Sequence, residues 1–423
     1  MKDDDRIYGL IGIGLGVFNL ALAAMLEDND YGDALFLEKQ LELNWHPGQL
    51  LSSSELQVHY LKDLITPVDP TSRFTFLNYL KERGLLYQFI NRKSESISRN
   101  QFQLYFRWVA HQIKGVKLGV EVTSIEHSDG VFLVRSKDQT YRARHIAVAT
   151  GLLPNVPDCA RPLVGERVFH VGDYTRYRDK VKDRVVVVGG GQSGAEVVMD
   201  ILESVPHSQL NWLGRRMSFS QLEDNCFINE IYIPSFTEKY RNLSHERKLE
   251  MMSRLEMSSN GINQGLLDRI YRSVFERRFF SDGGQDYRFV AGQELVDIQQ
   301  AGQAFEVTLR SWSDGETWRC EADTVVLATG FSTTTWGMLR SMIGDRSHGL
   351  RVGNNFEVKW KHEGVNDIFV QNGSGMCIGL ADPNLSIAAW RAAMIANKVL
   401  GSSRYAQYPD TPIVEHVLSG QYA

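Results

Sequence analysis

The chain has 423 residues, 43% of them hydrophobic, and a net charge of −5. That length predicts roughly two to three domains with room for sizeable cores. The mildly acidic balance excludes the basic footprint of a nucleic-acid binder. The four cysteines (Cys159, Cys226, Cys320 and Cys377) are scattered, with no CxxC pair for disulfide exchange and no Cys/His cluster at zinc-ligand spacing. No metal site is therefore expected, and a reducing cytoplasm fits best.

The first element is the apolar run "IYGLIGIGLGVFNLALAAM", residues 7–25. A spanning helix needs about 20 apolar residues, so length alone permits a membrane anchor. The preceding "MKDDDR" is acidic where an export signal is basic, and Gly9, Gly12, Gly14 and Gly16 are poor formers of a lone helix. A buried strand turning on glycines into a helix explains them, so neither export nor a membrane span is expected. The turn reads Gly14-x-Gly16-x-x-Asn19, a variant of the dinucleotide fingerprint with Asn in place of the third glycine. The next apolar run, "ALFLE", ends at Glu38, near the spacing at which a carboxylate accepts ribose hydroxyls.

After an insertion at about residues 41–110, the segment "VEVTSIEHSDGVFLVRSKDQTYRARHIAVATG" alternates apolar and polar residues as a β-meander and closes on Ala-Thr-Gly. A second fingerprint follows in "DRVVVVGGGQSGAEVVMD", where Gly189, Gly191 and Gly194 stand between a strand and a helix, with Gln192 and Ser193 at the helix start. The strand after it, "LNWLGRR", ends in Arg215 and Arg216, cations that suit the 2′-phosphate of NADP. Residues 221–280 are rich in helix formers and read as a small helical subdomain. A second meander then closes on Ala-Thr-Gly at Gly330, and the interval from Gly14 to Gly151 nearly equals that from Gly189 to Gly330. Such an internal repeat predicts two related nucleotide-binding domains. An acid in the first and arginines in the second point to FAD and NADPH respectively, with hydride passing between them.

The expected fold class is α/β, with two Rossmann-like dinucleotide-binding domains and a small helical substrate subdomain. Residues 1–165 and 325–423 would form the FAD-binding domain, 166–220 and 281–324 the NADPH-binding domain, and 221–280 the helical subdomain.

Several stretches, "GIGLGVFNLALA", "NWHPGQLL" (44–51), "LQVHYLKDLITPVDPTSRFTFLNYL" (56–80), "VVVVGGGQSGAEV", "FINEIYIPSF" (227–236), "LATGF" and "GLADPNLSIAAWRAA" (379–393), resemble the N-hydroxylating flavin monooxygenases of siderophore biosynthesis. The resemblance covers nearly the whole chain. It implies FAD, NADPH, O2 and a small-molecule amine substrate, a hydroxylamine product and a homo-oligomer. It places Lys62, Asn229 and Ser386 at the substrate, and Trp45, His46, Gln57, Gly330 and Leu385 at the FAD. No single side chain is expected to act as a strong acid or base. A lysine amine, with a pKa of about 10.4, must lose a proton before it can act as a nucleophile.

Departures from the family pattern are Leu56 in place of methionine, Cys377-Ile378 in place of Thr-His, and Ser258-Ser259 where ornithine enzymes tend to show Asn-Tyr. The last is closer to the lysine branch. L-Lysine is the favoured substrate because Lys62 can pair a carboxylate. The alternatives are cadaverine or putrescine, then ornithine. A Baeyer–Villiger monooxygenase is a further alternative, although in "GERVFHVGDY" Gly165 and His170 stand one residue too far apart for that signature.

Overall fold

A computed structural model describes residues 6–205, 209–280, 287–333, 335–344, 350–406 and 411–415. The opening run forms β1 (Ile7–Ile13) and α1 (Val17–Asp28), followed by β2 (Ala34–Glu38). Helix α1 is buried almost all round, from Leu20 to Leu26, against the first sheet and two other helices; this is why its sequence looks long enough for a membrane. Among the described residues no helix is long and apolar enough to cross a bilayer.

The first insertion contributes α2 (Phe76–Glu82), α3 (Leu86–Arg92) and α4 (Arg99–Ala110). Helix α4 starts on a capping box, in which Ser98 and Gln101 satisfy each other's backbone N–H groups. Strand β3 (Val116–Leu118) and the meander β4 (Val122–Ser128), β5 (Val131–Ser136) and β6 (Thr140–Val148) complete this unit. The sheet runs β3-β2-β1-β6-β5-β4, parallel around β1 and antiparallel through the meander.

Strand β7 (Leu152–Pro154) leads out of the first unit into β8 (Val168–His170), α5 (Tyr174–Tyr177), β9 (Arg184–Val188), α6 (Gln192–Ser204) and β10 (Gln209–Leu213). The helical insertion supplies α7 (Pro234–Arg241), α8 (His245–Arg254), α9 (Met257–Asn260) and α10 (Gln264–Phe279). Then come β11 (Tyr287–Val290), the antiparallel β12 (Gln293–Ala301), β13 (Ala304–Ser311) and β14 (Thr317–Ala322), and β15 (Thr324–Leu327). The second sheet is parallel, in the order β11-β10-β9-β15-β8. The chain returns through β16 (Phe331–Thr333), which pairs antiparallel with β7, to α11 (Thr335–Ile343), β17 (Ile368–Val370) beside β6, α12 (Gly375–Ile378) and α13 (Ala388–Leu400) against α1.

The repeat is visible bond for bond. Gly14 N–H donates to Leu37 O and Gly189 N–H to Leu213 O, both at 2.8 Å. Ala149 N–H reaches Ile13 O at 2.9 Å, and Ala328 N–H reaches Val188 O at 2.7 Å. The copies differ at the end of the meander. Strand β6 enters the first sheet unbroken, whereas Asp323 separates β14 from β15, anchored by Arg184 at 2.7 and 3.0 Å. Because β15 pairs with β8 and β9, the expected boundary at residue 325 cuts a strand of the second sheet; the return to the first unit falls after Leu327.

Candidate active site

Both fingerprints form cradles open to an anion. Gly14 has φ +80°, and a Cβ there would lie 2.5 Å from Ala149 O; Gly189 has φ +131°, and its Cβ would lie 2.1 Å from Ala328 O. These two glycines are required by the turn itself. Gly16 and Gly191 instead begin α1 and α6 with open space where a Cβ would project, no capping side chain and no acid in the first turn. The orphan N–H groups of each helix are thus available to a pyrophosphate. Gly194 packs on Gly189 O at 2.2 Å from its hypothetical Cβ. Asn19 takes that place in the first cradle differently: it is fully buried, donates to Gly14 O and Ala147 O, and accepts from Gln371. Its amide shapes the loop from beneath rather than facing the cradle.

Glu38 ends β2 with Oε2 accepting Leu15 N–H at 2.7 Å and Oε1 accepting Gln40 N–H at 2.9 Å, which holds the carboxylate beside the first cradle. At the matching end of β10, the two arginines part. Arg216 bonds to Glu256 Oε1 at 2.6 Å and Asn260 O at 3.0 Å on the helical insertion. Arg215 is exposed, and among the described residues has no ion-pair partner, which leaves it the better candidate for a phosphate.

The "NWHPGQLL" segment forms part of the seam between the units. A Cβ on Gly48 would lie 1.6 Å from Gly172 O, so only glycine permits this approach. Gln49 donates to Ser193 Oγ at 3.2 Å and Gln57 to Gln192 Oε1 at 3.4 Å; Gln192 also accepts Asn263 N–H at 2.8 Å and donates to Glu196. Glu196 pairs with Arg99 of α4 at 3.0 Å, nearly out of solvent. Trp45 and His46 stack edge to face at 4.9 Å beside Phe102, and Gly330, at φ +85°, accepts from Asn155 at the crossing between units. Trp45, His46 and Gly330 do not line the cleft described next.

A cleft of about 780 Å³ brings together Gln57, Lys62, Asn229 and Ser386 from segments far apart in sequence. Lys62 is presented by a loop that its neighbour organises: the buried Asp63 carboxylate accepts from Ile65 N–H, Thr66 N–H and Oγ1–H, and Phe76 N–H. Burial lowers the Lys62 pKa and the charge of Asp224 opposes the shift. Asn229 lies in a helical turn led by Asn225, whose Oδ1 accepts from Phe227 and Ile228 N–H, and its amide donates to Asp224 Oδ1 at 2.8 Å. Asn384, not Ser386, caps the turn before α13, so the Ser386 hydroxyl is buried at the cleft without a hydrogen-bond partner. Leu385 beside it packs into the core.

Sequence reasoning missed Asp224, Tyr232 and Glu95 in the cleft wall. Asp224 was within reach, since it sits five residues before Asn229 in "EDNCFINE"; the others carried no local signal. Among the described residues no cluster of His, Cys, Asp or Glu is placed to hold a metal.

Two dinucleotide cradles joined at a polar cleft define a two-nucleotide flavin oxidoreductase. Residues 6–333 match the family described as L-lysine 6-monooxygenase/L-ornithine 5-monooxygenase. The chain is 30% identical over 400 residues to L-lysine N6-monooxygenase of Escherichia coli, covering 92% of this chain and 94% of the relative. Its fold superposes with a TM-score of 0.89 on the FAD-bound cadaverine monooxygenase of Erwinia amylovora, at 27% identity, over 97% of this chain and 99% of that one. With the Kutzneria ornithine N-hydroxylase bound to reduced FAD, NADP+ and L-ornithine, the TM-score is 0.88 at 25% identity, over 94% and 99%. The chain belongs to the siderophore-biosynthesis family of N-hydroxylating flavin monooxygenases, and its cofactors are FAD and NADPH.

Proposed function

We propose that the protein hydroxylates the side-chain amine of L-lysine with O2, giving a hydroxylamine for a hydroxamate siderophore. Gly14 and Gly16 at the start of α1 would hold the FAD pyrophosphate, and Glu38 would take its ribose hydroxyls. Gly189 and Gly191 at the start of α6 would hold the NADPH pyrophosphate, and Arg215 would pair its 2′-phosphate. When bound, NADPH supplies hydride and the reduced flavin supplies activated oxygen.

The chain's own residues position the amine and favour its neutral form. Lys62 pairs the substrate carboxylate, while Asn229 and the unpartnered Ser386 hydroxyl offer neutral hydrogen-bond partners. Transfer into the cleft beside the flavin lowers the pKa of the reacting amine, so that its lone pair is available without a dedicated base. Exclusion of water by the seam between the units does the rest.

The observation that carries lysine is the half-buried Lys62 ammonium, which among the described residues has no ion-pair partner. Lys62→Ala is expected to cost about 1.5 to 3 kcal/mol in kcat/KM with lysine, the scale of a charged hydrogen bond, and little with cadaverine. Equal losses on both substrates would remove the carboxylate from the account. A diamine is the second reading, favoured by Glu95, Glu223 and Asp224 along the same cleft.

A further inference from the structure

The cleft carries acids as well as cations, and among the described residues neither Asp224 nor Lys62 is held in a direct ion pair. Asp224 faces the space shared by Lys62, Asn229 and Tyr232. It attracts the Lys62 charge, yet the two lie beyond ion-pair distance, and among the described residues no other cation pairs with Asp224. Its placement is built. Leu222 N–H donates to Ile262 O at 2.8 Å and Glu223 N–H to Met257 O at 3.0 Å, tying the segment before Asp224 to the residues between α9 and α10 and to the start of α9. That approach requires Gly261, where a Cβ would lie 2.2 Å from Leu222 Cα.

An acid here has a cost for recognition of a carboxylate alone. Asn229, one of the neutral partners in the cleft, already donates to Asp224, so a substrate carboxylate placed beside it would meet a like charge. A head group with both signs removes the conflict, its carboxylate on Lys62 and its ammonium on Asp224.

We infer that Asp224 is a specificity-determining residue that binds the non-reacting ammonium of the substrate, so that Lys62 and Asp224 together read a zwitterionic α-amino acid head. This rests on the lysine reading for its carboxylate half only, because the ammonium half holds equally for a diamine.

The test uses the FAD-loaded enzyme with three ligands: lysine, which has both charges, cadaverine, which has the second ammonium alone, and 6-aminohexanoate, which has the carboxylate alone. Affinity is read as KM for whichever is hydroxylated fastest and as a competitive inhibition constant for the others. Asp224→Asn is expected to weaken lysine and cadaverine roughly tenfold and to leave 6-aminohexanoate no weaker, or tighter as the like charge is removed, with Asp224→Glu restoring part of the loss. Equal weakening of all three, or of none, would overturn the inference. Lys62→Ala sorts the ligands the other way, weakening lysine and 6-aminohexanoate. If Lys62→Ala spares these while Asp224→Asn still sorts by ammonium, the lysine reading fails and the role of Asp224 stands.

Discussion

The ammonium of Lys62 loses affinity for its proton through burial and regains some from Asp224, with the net shift downward from 10.5. Carboxylate recognition needs the charged form, which is present below the lowered pKa and lost as pH rises through it. KM for lysine is therefore expected to climb on the alkaline side before pH 10.5, and Lys62→Ala to lack that limb; a pH profile of KM identical in both proteins would contradict it. The two arginines after β10 separate in a way the sequence could not show, because Arg216 is engaged by Glu256 and Asn260 of the insertion. Arg215→Ala is expected to raise KM for NADPH at least about tenfold with little change for NADH, the loss of one charged phosphate contact. Arg216→Ala should have the smaller effect on cofactor preference, which steady-state kinetics with both nucleotides will decide. Legibility at this scale divides by mechanism. Glycines with a forced φ were readable from spacing, whereas the role of Asn19 depended on the distant Gln371 and Ala147 that satisfy it.

Among elements, the strand–turn–helix units at β1 and β9 were legible because a buried parallel strand ending on glycine leaves few alternatives. The seam was not, because it depends on contacts between residues distant in sequence. Arg99 and Glu196 are unremarkable in their own helices, yet they form a pair with side chains 13% and 2% exposed that ties α4 to α6. Removing one partner leaves a buried charge, so Arg99→Ala is expected to destabilise the protein by about 3 kcal/mol, with Gln192 relieving part of the loss. Denaturant unfolding measures it, and a change under about 0.5 kcal/mol, the range of an ordinary surface substitution, would show that the seam does not depend on this pair. Gly48 belongs to the same seam: its contact with Gly172 gives a physical reason for the glycine in "NWHPGQLL" that the motif alone could not supply.

For the whole molecule, the near-equal intervals between paired glycines revealed a duplicated plan, and the matching hydrogen bonds at Gly14 and Gly189 carry it into three dimensions. What the repeat concealed was where the copies diverge. Asp323, bonded to Arg184, interrupts the second copy between β14 and β15, where β6 of the first copy runs unbroken from the meander into its sheet. The placement of the helical insertion was equally invisible: α10 packs on α6 while α7 packs on α12, so the insertion spans both units and walls the cleft with Asn229 and Asp224. The proposed role of this cleft is to present a primary amine to FAD held in one unit and reduced by NADPH held in the other. The most direct measurement is hydroxylamine formation by the purified, FAD-loaded protein with lysine, ornithine, cadaverine and putrescine, recorded together with NADPH and O2 consumption. Hydroxylamine from lysine in step with both co-substrates is the expected result; NADPH oxidation with no hydroxylamine from any of the four amines would contradict the account.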